Sequence, residues 1–278
     1  MVIIKSKQVV DIKQDAGLSK DKVKKVVTKS PVINYQWVKD KIDTRDYQYI
    51  PSIQPLPAKV DFRPKCTLIE NQGQLGSCTG NAIAGAIELL NNQAGKAKDI
   101  SRLYIYYYER VLENTVNYDN GAYIRDGIKA CSKYGASLES LWPYDITKYT
   151  NAPTPTAIAD GLKRKITRYE RTTDYNGCKD ALAHGYSVII GFTVYSSFLS
   201  TSTASTGVMT YPNKKTERIL GGHAVLLVGY DDAKSCFIVR NSWGTGWGDK
   251  GYFYMPYEVI QDKTMSSDFW IIKSVDNP

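Results

Sequence analysis

The stretch Gln72-Gly-Gln-Leu-Gly-Ser-Cys78 precedes apolar residues at positions 83, 86, 87 and 90, a spacing that predicts a helix. A helix that begins at Cys78 places the thiol beside unpaired backbone N–H groups and the positive end of the helix dipole. Both stabilise a thiolate, which is the reactive form of cysteine. The stretch therefore predicts a nucleophilic cysteine, although a buried structural cysteine would fit the same local pattern.

The chain contains only two histidines, His184 and His223. His223 follows two glycines and precedes an apolar run, so we expect it at the head of a strand, where an imidazole can project into a cleft. His184 follows Ala-Leu-Ala at a predicted helix end, where capping or packing is the simpler role. We therefore expect His223 to be the base that serves Cys78.

Two amide side chains complete this set. Asn241 begins the turn-rich segment Asn-Ser-Trp-Gly-Thr-Gly-Trp-Gly. Its amide can accept from one imidazole nitrogen and hold the other toward the thiol, while Trp243 shields that bond from water. Gln72 lies close enough to Cys78 to donate to the oxygen of a carbonyl under attack, with the Cys78 backbone N–H as the second donor. These parts suffice for acyl transfer through cysteine.

Composition and charge exclude several classes of protein. The chain has 278 residues, of which 42% are hydrophobic and 23% charged, as in soluble globular proteins. Much of the net charge of +8 comes from residues 1–58, with 11 Lys/Arg and 6 Asp/Glu, but these form no basic patch with aromatic platforms. No segment approaches the roughly 20 apolar residues of a membrane span, and the N-terminal apolar run is too short for a signal peptide. We expect no nucleic-acid or membrane partner, a monomer, and an intracellular location (or packaging in the particle, if the source is viral).

The five cysteines are widely spaced and include no Cys-x-x-Cys pair. With only two histidines, a structural zinc site is not expected. An odd number of cysteines cannot be fully paired, which favours free thiols in a reducing compartment. We expect one reactive thiol and four small buried hydrophobic side chains.

The secondary-structure pattern changes along the chain. Helices are predicted after Cys78, from Ser101, and from Tyr123 to Tyr134, where Gly135 ends the last one. After about residue 165, short apolar runs predict strands, and residues 196–205 are predicted as a loop. A helical half followed by a β half predicts an α+β protein of two lobes with a cleft between them. The predicted strands centre on residues 188–192, 224–228, 237–239, 252–254 and 269–272.

Residues 1–58 have a different character. A helix with a narrow apolar stripe is predicted over residues 18–27, and two aromatic segments, 35–38 and 47–50, could lie extended in a groove. Prolines at positions 51, 55 and 57 then block regular structure, as expected of a linker or processing site.

Taken together, residues 56–272 resemble the papain-like cysteine peptidases of the cathepsin type, most closely the bacterial and large-virus branch. The spacing of 145 residues between Cys78 and His223 lies within the range of that family. The matching segments are Leu56-Pro-Ala-Lys-Val-Asp-Phe-Arg63, Asn71-Gln-Gly-Gln-Leu-Gly-Ser-Cys78, Gly135-Ala-Ser-Leu-Glu-Ser-Leu-Trp-Pro-Tyr144, Gly222-His-Ala-Val-Leu-Leu-Val-Gly-Tyr230 and Asn241-Ser-Trp-Gly-Thr-Gly-Trp-Gly-Asp-Lys-Gly-Tyr252.

The resemblance implies an α+β, two-lobed papain-like fold, in which residues 59–278 form the peptidase domain. Its helical left lobe would span about 68–155 and its β-barrel-like right lobe about 156–272, with the active-site cleft between them. The implied activity is a thiol-dependent endopeptidase that acts on proteins or peptides and requires no metal or organic cofactor. Residues 1–58 resemble an inhibitory propeptide lying in the cleft, the alternative being a regulatory or targeting arm that stays attached.

Several positions depart from the family pattern. Leu75 and Asp119 stand where the family has two cysteines that form one disulfide, so both halves of that bridge are missing together. Thr79 replaces the aromatic residue after the nucleophile, and Ala122 replaces a glycine, which puts the fit of the substrate backbone there in doubt. Ser267 and Asp268 fall near the base of the pocket that the family uses for one substrate side chain. Asp268 at that base would favour a basic substrate side chain, whereas Ser267 there would leave the pocket neutral. The implied substrate-binding positions are Gly121, Ala122, Gly222, Trp243, Ser267 and Asp268.

Two other functions are compatible with these motifs. A catalytically silent homologue could serve as a binding protein, although the intact set of Cys78, His223, Asn241 and Gln72 argues against it. A peptide ligase or acyltransferase could use the same acyl-enzyme and pass it to an amine instead of water.

Overall fold

A computed structural model describes residues 37–277, so the helix predicted over 18–27 lies outside the described residues. Within that range, short 3-10 turns lie at Arg63–Lys65, Ile146–Lys148, Ser196–Leu199 and Asp232–Lys234. The helices are α1 (Cys78–Gln93), α2 (Arg102–Glu113), α3 (Ile124–Tyr134), α4 (Pro155–Gly161), α5 (Tyr175–Ala183), α6 (Thr201–Thr206) and α7 (Tyr257–Gln261).

The sheet structure lies mainly in the second half of the chain. The strands are β1 (Trp37–Val38), β2 (Lys59–Asp61), β3 (Ala122–Tyr123), β4 (Ile166–Thr172), β5 (Val188–Tyr195), β6 (Ile219–Asp231), β7 (Cys236–Arg240), β8 (Tyr252–Pro256) and β9 (Ser266–Val275). Seven of them form one antiparallel sheet in the order β4-β9-β5-β6-β7-β8, with β2 added to β6. The remaining two, β1 and β3, form a separate parallel pair.

The helix α1 is buried along almost its whole length, from Cys78 to Leu89. It packs against α2 and α3 on one side and against β6 on the other, so it lies between the helical and the β parts of the fold. Gly80 allows the approach of α2, because a Cβ there would be only 2.9 Å from the Arg102 carbonyl oxygen. The strand β6 is buried on both faces from His223 onward, which explains its continuous apolar run.

The three predicted helices of the first half are confirmed, and Gly135 ends α3 with a positive φ of 76°. The predicted strands are also present but longer than their apolar centres, because pairing continues into polar and glycine residues. His223 consequently lies inside β6 and not at its head, since β5 pairs with β6 as far as Ile219. Within residues 37–277, no helix has both the length and the apolar character needed to cross a membrane.

The loop predicted over residues 196–205 is wrong. Residues Ser196–Leu199 form a 3-10 turn and Thr201–Thr206 a short helix, α6. The hydroxyl of Ser200 caps this helix by accepting from the Thr203 N–H at 3.1 Å, and Gly207 ends it in the left-handed region. Hydroxyl side chains that favour loops elsewhere act here as helix caps.

Candidate active site

The imidazole of His223 is hydrogen-bonded to the amide of Asn241, the residue that follows β7. Its Nε2 lies 2.8 Å from the amide oxygen Oδ1. The backbone N–H of Ser242 donates to the same oxygen at 2.9 Å, so Oδ1 is fixed toward the imidazole. The other ring nitrogen, Nδ1, has no hydrogen-bond partner among residues 37–277. The arrangement is that of an oriented base whose second nitrogen can exchange a proton.

The indole of Trp243 covers this pair. It stacks on the His223 ring with 4.9 Å between ring centroids and 22° between planes. His223 is fully buried, and this burial lowers the pKa of its imidazole to about 4, partly offset by the hydrogen bond to Asn241. The imidazole is therefore neutral at physiological pH in the structure as described.

Cys78 is the first residue of α1 and is fully buried. The helix α1, which begins at Cys78, packs against β6, the strand that carries His223. Unpaired N–H groups in the first turn of a helix favour a negatively charged sulfur. The predicted thiol and the predicted base thus belong to two elements in direct contact.

Gln72 is held at the junction with the segment that follows β7. Its Oε1 accepts from the Ser242 hydroxyl at 2.6 Å, and its Nε2 donates to the Leu75 carbonyl at 3.0 Å. Its backbone N–H also donates to the Ser242 carbonyl at 2.8 Å. Ser242, which sequence analysis did not single out, therefore orients Gln72 while its own N–H orients Asn241. Its place directly after Asn241 is the only sequence signal that could have identified it.

Asp119 is a second residue whose role sequence analysis missed. Its two carboxylate oxygens accept from the Gly76 N–H at 3.0 and 3.2 Å, and one of them also accepts from the Tyr106 hydroxyl at 2.5 Å. The loop before Cys78 is thus tied to the loop before Ala122. By the family resemblance, a disulfide between positions 75 and 119 would make this link. The joint absence of both cysteines was the sequence signal that another interaction connects the two loops.

The predicted substrate-binding residues Gly121 and Ala122 lie next to residues 37–58, which we call the N-terminal segment. Gly121 has a positive φ of 72°, and Ala122 pairs in parallel with Trp37. The Trp37 indole rests on two glycines of neighbouring strands, Gly191 and Gly222. A Cβ at Gly191 would lie 1.9 Å from the ring and one at Gly222 2.6 Å from it, so only glycine leaves room at these positions.

Ser267 and Asp268 differ in their surroundings. Ser267 lines a cavity of about 420 Å³ together with Trp37 and Gly222. Asp268 is fully buried and accepts from Arg171 Nη2 at 2.9 Å and from the Asp40 N–H at 2.8 Å. Because Arg171 neutralises this carboxylate, the geometry does not support a preference for basic substrate side chains through Asp268.

Five charged residues, which we call the polar latch, hold the N-terminal segment on the body. They are Asp40 and Asp46 from the segment, and Arg125, Arg171 and Asp268 from the body. Arg125 binds both oxygens of Asp46, with Nε–Oδ1 at 3.0 Å and Nη2–Oδ2 at 2.5 Å. Arg171 bridges Asp46 at 3.2 Å and Asp268 at 2.9 Å. The Asp46 side chain is only 5% exposed, so water screens these pairs little.

His184 lies apart from this site, as expected. It caps α5, and its Nδ1 is 2.8 Å from the Asp180 carbonyl oxygen. No disulfide joins any of the five cysteines, all of which lie within residues 37–277. In the part of the chain that the structure describes, no group of three or more His, Cys, Asp or Glu side chains is placed to hold a metal ion.

The sequence and the structure of this chain were compared with those of known proteins. The model of the papain family of cysteine proteases matches residues 56–272. An uncharacterized peptidase C1-like protein of Acanthamoeba polyphaga mimivirus is 38% identical over 275 residues, covering 88% of each chain. Xylellain, a cysteine protease from Xylella fastidiosa, is 38% identical with a TM-score of 0.81, covering 90% of this chain and 99% of its own.

A more distant structure is that of the Amb a 11 cysteine protease, a ragweed pollen allergen, in its proform. It is 25% identical with a TM-score of 0.60, covering 80% of this chain and 68% of its own. The α+β architecture and the ordered motifs agree with these matches. The chain belongs to the papain family of cysteine proteases, in its bacterial and large-virus branch, and is a thiol-dependent peptidase.

Proposed function

We propose that Cys78 is the nucleophile, His223 the acid and base, and Asn241 the residue that orients His223. The observation that carries this assignment is the buried His223–Asn241 pair, whose free Nδ1 lies on the strand packed against the helix that begins at Cys78. The thiolate attacks a peptide carbonyl, the imidazolium protonates the leaving amine, and the neutral imidazole then activates water for deacylation.

The oxyanion formed in each step would be stabilised by Gln72 and by the Cys78 backbone N–H. Nε2 of Gln72 carries two hydrogens, of which the bond to Leu75 uses one. The bond from Ser242 to Oε1 fixes the amide with its NH₂ group toward the Leu75 carbonyl, three residues before Cys78. The donor is thus oriented before substrate binds.

Residues 1 to about 58 act in this proposal as an inhibitory propeptide. Strand β1 of this segment pairs with the edge of β3. The family resemblance implies that substrate pairs with the same edge. The Trp37 indole fills the slot over Gly191 and Gly222, beside His223. A slot of that size, without a free carboxylate, favours a large apolar substrate side chain. The Amb a 11 cysteine protease, a relative, is known in a proform, which supports a proform for this chain as well.

The N-terminal segment would also make the Cys78–His223 pair less reactive. The reactive form of the pair is a thiolate with an imidazolium, and burial of His223 disfavours the imidazolium. The Trp37 indole lies over Gly222, the residue before His223, so removal of the segment should admit water to this part of the site and raise the pKa of the imidazole toward its ordinary value. Inhibition would then have two parts, a steric block and a suppressed ion pair.

Labelling with a peptidyl epoxide, followed by intact-mass analysis, tests the proposal. We compare the full-length chain with a chain that begins at residue 54. Labelling at Cys78 that is much faster after truncation supports a thiol peptidase made as a zymogen. Equal labelling of both would remove the propeptide but keep the enzyme, whereas no labelling of either would favour the silent binding protein. Added amine nucleophiles separate hydrolysis from ligation.

The structure suggests where activation cleaves the chain. The Ser52 hydroxyl is bonded to Asp180 at 2.7 Å, and the Pro57 and Ala58 carbonyls accept hydrogen bonds from the body. Between these anchors Ile53 is 98% exposed. The peptide bonds that precede Pro55 and Pro57 have no N–H, so we do not expect cleavage directly before either proline. Cleavage is therefore expected after residue 53 or 55. N-terminal sequencing of active enzyme checks this, and intact Met1 on fully active protein would contradict it.

Docking of the segment should weaken as pH rises, because of Asp40. Burial and the neighbouring Asp268 carboxylate raise the pKa of Asp40 from 3.8 to about 6, although Trp270 and Arg125 donate to it. Docking therefore takes up a proton, and its stabilisation is lost as pH rises from about 4 to about 6. We expect the labelling rate of the full-length chain, divided by that of the truncated chain, to rise several-fold over this range.

Asp40→Asn is the control for this prediction. The amide cannot titrate, so the same ratio should be nearly independent of pH. An unchanged pH dependence in Asp40→Asn would show that another group controls docking.

Two further expectations from the sequence remain proposals, a monomer and an intracellular location. Light scattering of the full-length chain tests the first, and fractionation of the source cells or particles tests the second. Neither affects the chemistry assigned to Cys78.

A further inference from the structure

A small internal cavity lies behind the His223–Asn241 pair, between α1 and the strands β6 and β7. About 10 Å³ of it is open to the centre of a water molecule, close to the minimum for one ordered water. Both apolar and polar residues form its walls. Among the residues that line it are Asn81, Glu88, Arg102, Arg240, Asn241 and Ser242.

Three buried side chains in this wall each have one polar atom without a hydrogen-bond partner among residues 37–277. They are Oδ1 of Asn81, Nδ2 of Asn241 and Nε of Arg102. The residues are 7%, 3% and 6% exposed, so bulk water does not satisfy these atoms. Buried polar atoms in native proteins are nearly always hydrogen-bonded. One acceptor and two donors together match the bonding capacity of a single water molecule.

The orientation of both amides is set by other bonds. Nδ2 of Asn81 donates to the carbonyl and the hydroxyl of Ser77 at 2.9 and 3.1 Å, which leaves Oδ1 as its free atom. Oδ1 of Asn241 accepts from His223 and from the Ser242 N–H, which leaves Nδ2. The two atoms without a partner are therefore an acceptor on α1, Oδ1 of Asn81, and a donor on the residue that orients His223, Nδ2 of Asn241.

We propose that one ordered water occupies this cavity, accepts from Asn241 Nδ2 and donates to Asn81 Oδ1. Asn81 is then a positioning residue, which acts on His223 through the water and Asn241. The water-mediated bond holds the Asn241 amide plane and ties the helix that begins at Cys78 to the segment after β7. This inference rests on the proposed role of Asn241.

The variant Asn81→Leu tests the proposal on enzyme activated from the full-length chain. Leucine has a similar branched shape but no acceptor, and its larger apolar side chain takes the place of the water. It also removes the Nδ2 bonds to Ser77, which the double-mutant cycle below allows for. We expect kcat to fall about five- to tenfold with KM unchanged, the loss expected for one buried hydrogen bond. The basic limb of the kcat/KM profile should also move to lower pH, because a less firmly held Asn241 stabilises the imidazolium less.

Asn91→Leu is the matched control. Asn91 lies on the same helix, is fully buried, and has both side-chain polar atoms without a described partner, but it is not part of this cavity wall. Near-wild-type kcat in Asn91→Leu, with the reduced kcat in Asn81→Leu, supports the proposal. Equal kinetic effects of the two substitutions overturn it.

A double-mutant cycle distinguishes positioning from general destabilisation. In the Asn241→Ala background, Asn81→Leu should cause no further loss of kcat, because its route to His223 is already cut. Independent, multiplying losses overturn the proposal. If instead Asn241→Ala alone leaves kcat unchanged, the proposed role of Asn241 fails, and this inference with it.

A crystal structure of the wild-type full-length chain provides a test that needs no variant. Density for one water within hydrogen-bonding distance of both Asn81 Oδ1 and Asn241 Nδ2 supports the proposal. Well-ordered side chains without that water overturn it, whatever the kinetics of the variants.

Discussion

Cys78→Ala is expected to abolish peptide hydrolysis, with kcat reduced by at least about ten-thousandfold. Without the sulfur no acyl-enzyme forms, and only binding and the oxyanion donors remain to assist water. The change removes one buried atom from the start of α1, so we expect the fold to persist. Initial rates on a fluorogenic peptide and the thermal unfolding midpoint measure the two effects separately.

Cys178→Ala is the control for this variant. Cys178 is also a fully buried cysteine in a helix, and burial raises the pKa of its thiol well above the ordinary value. Its loss should leave turnover intact while costing similar or greater stability. Significant peptidase activity in purified Cys78→Ala would refute the assignment of the nucleophile.

Trp37→Ala should make the full-length chain reactive without proteolysis. The indole is the part of the segment that fills the slot over Gly191 and Gly222. Losing its burial costs docking about 2–3 kcal/mol, and each 1.4 kcal/mol or so is tenfold in an equilibrium. We therefore expect epoxide labelling of Cys78 to be roughly 100-fold faster than in the wild-type full-length chain.

Tyr47→Ala tests whether any aromatic residue of the segment would have the same effect. Tyr47 is 72% exposed and contributes to docking through its backbone carbonyl, which accepts from the Arg171 N–H. Its labelling rate should match that of the wild type. If Trp37→Ala labels no faster than Tyr47→Ala, the indole does not block the site and the other contacts of the segment must hold it in place.

Much of the candidate site could be predicted because its residues lie in local patterns. Cys78 opens an apolar-periodic helix, and Asn241 follows a short apolar strand, so each position had a structural context within a few residues. The scarcity of histidine then left His223 as the base. Local spacing of this kind predicts the helix or strand that carries each side chain, and so it also predicts where that side chain lies along the element.

The contacts between distant segments could not be predicted in this way. Asp46 meets Arg125 and Arg171, which lie far from it in sequence and in different elements. No periodicity records which carboxylate will pair with which guanidinium. The same holds for Ser242 and Gln72, whose hydrogen bond depends on two loops meeting at the junction of the lobes. These pairings follow from the packed fold alone.

The carboxylate of Asp119 gives the enzyme a practical chemical property. Because a hydrogen bond to the Gly76 N–H joins the two loops, reducing agents have no bond to break there. Papain-type chemistry needs its thiol reduced, and in a protein with a disulfide at that place strong reductant would loosen the loop that carries the nucleophile. In this chain, conditions that protect Cys78 from oxidation leave that link intact.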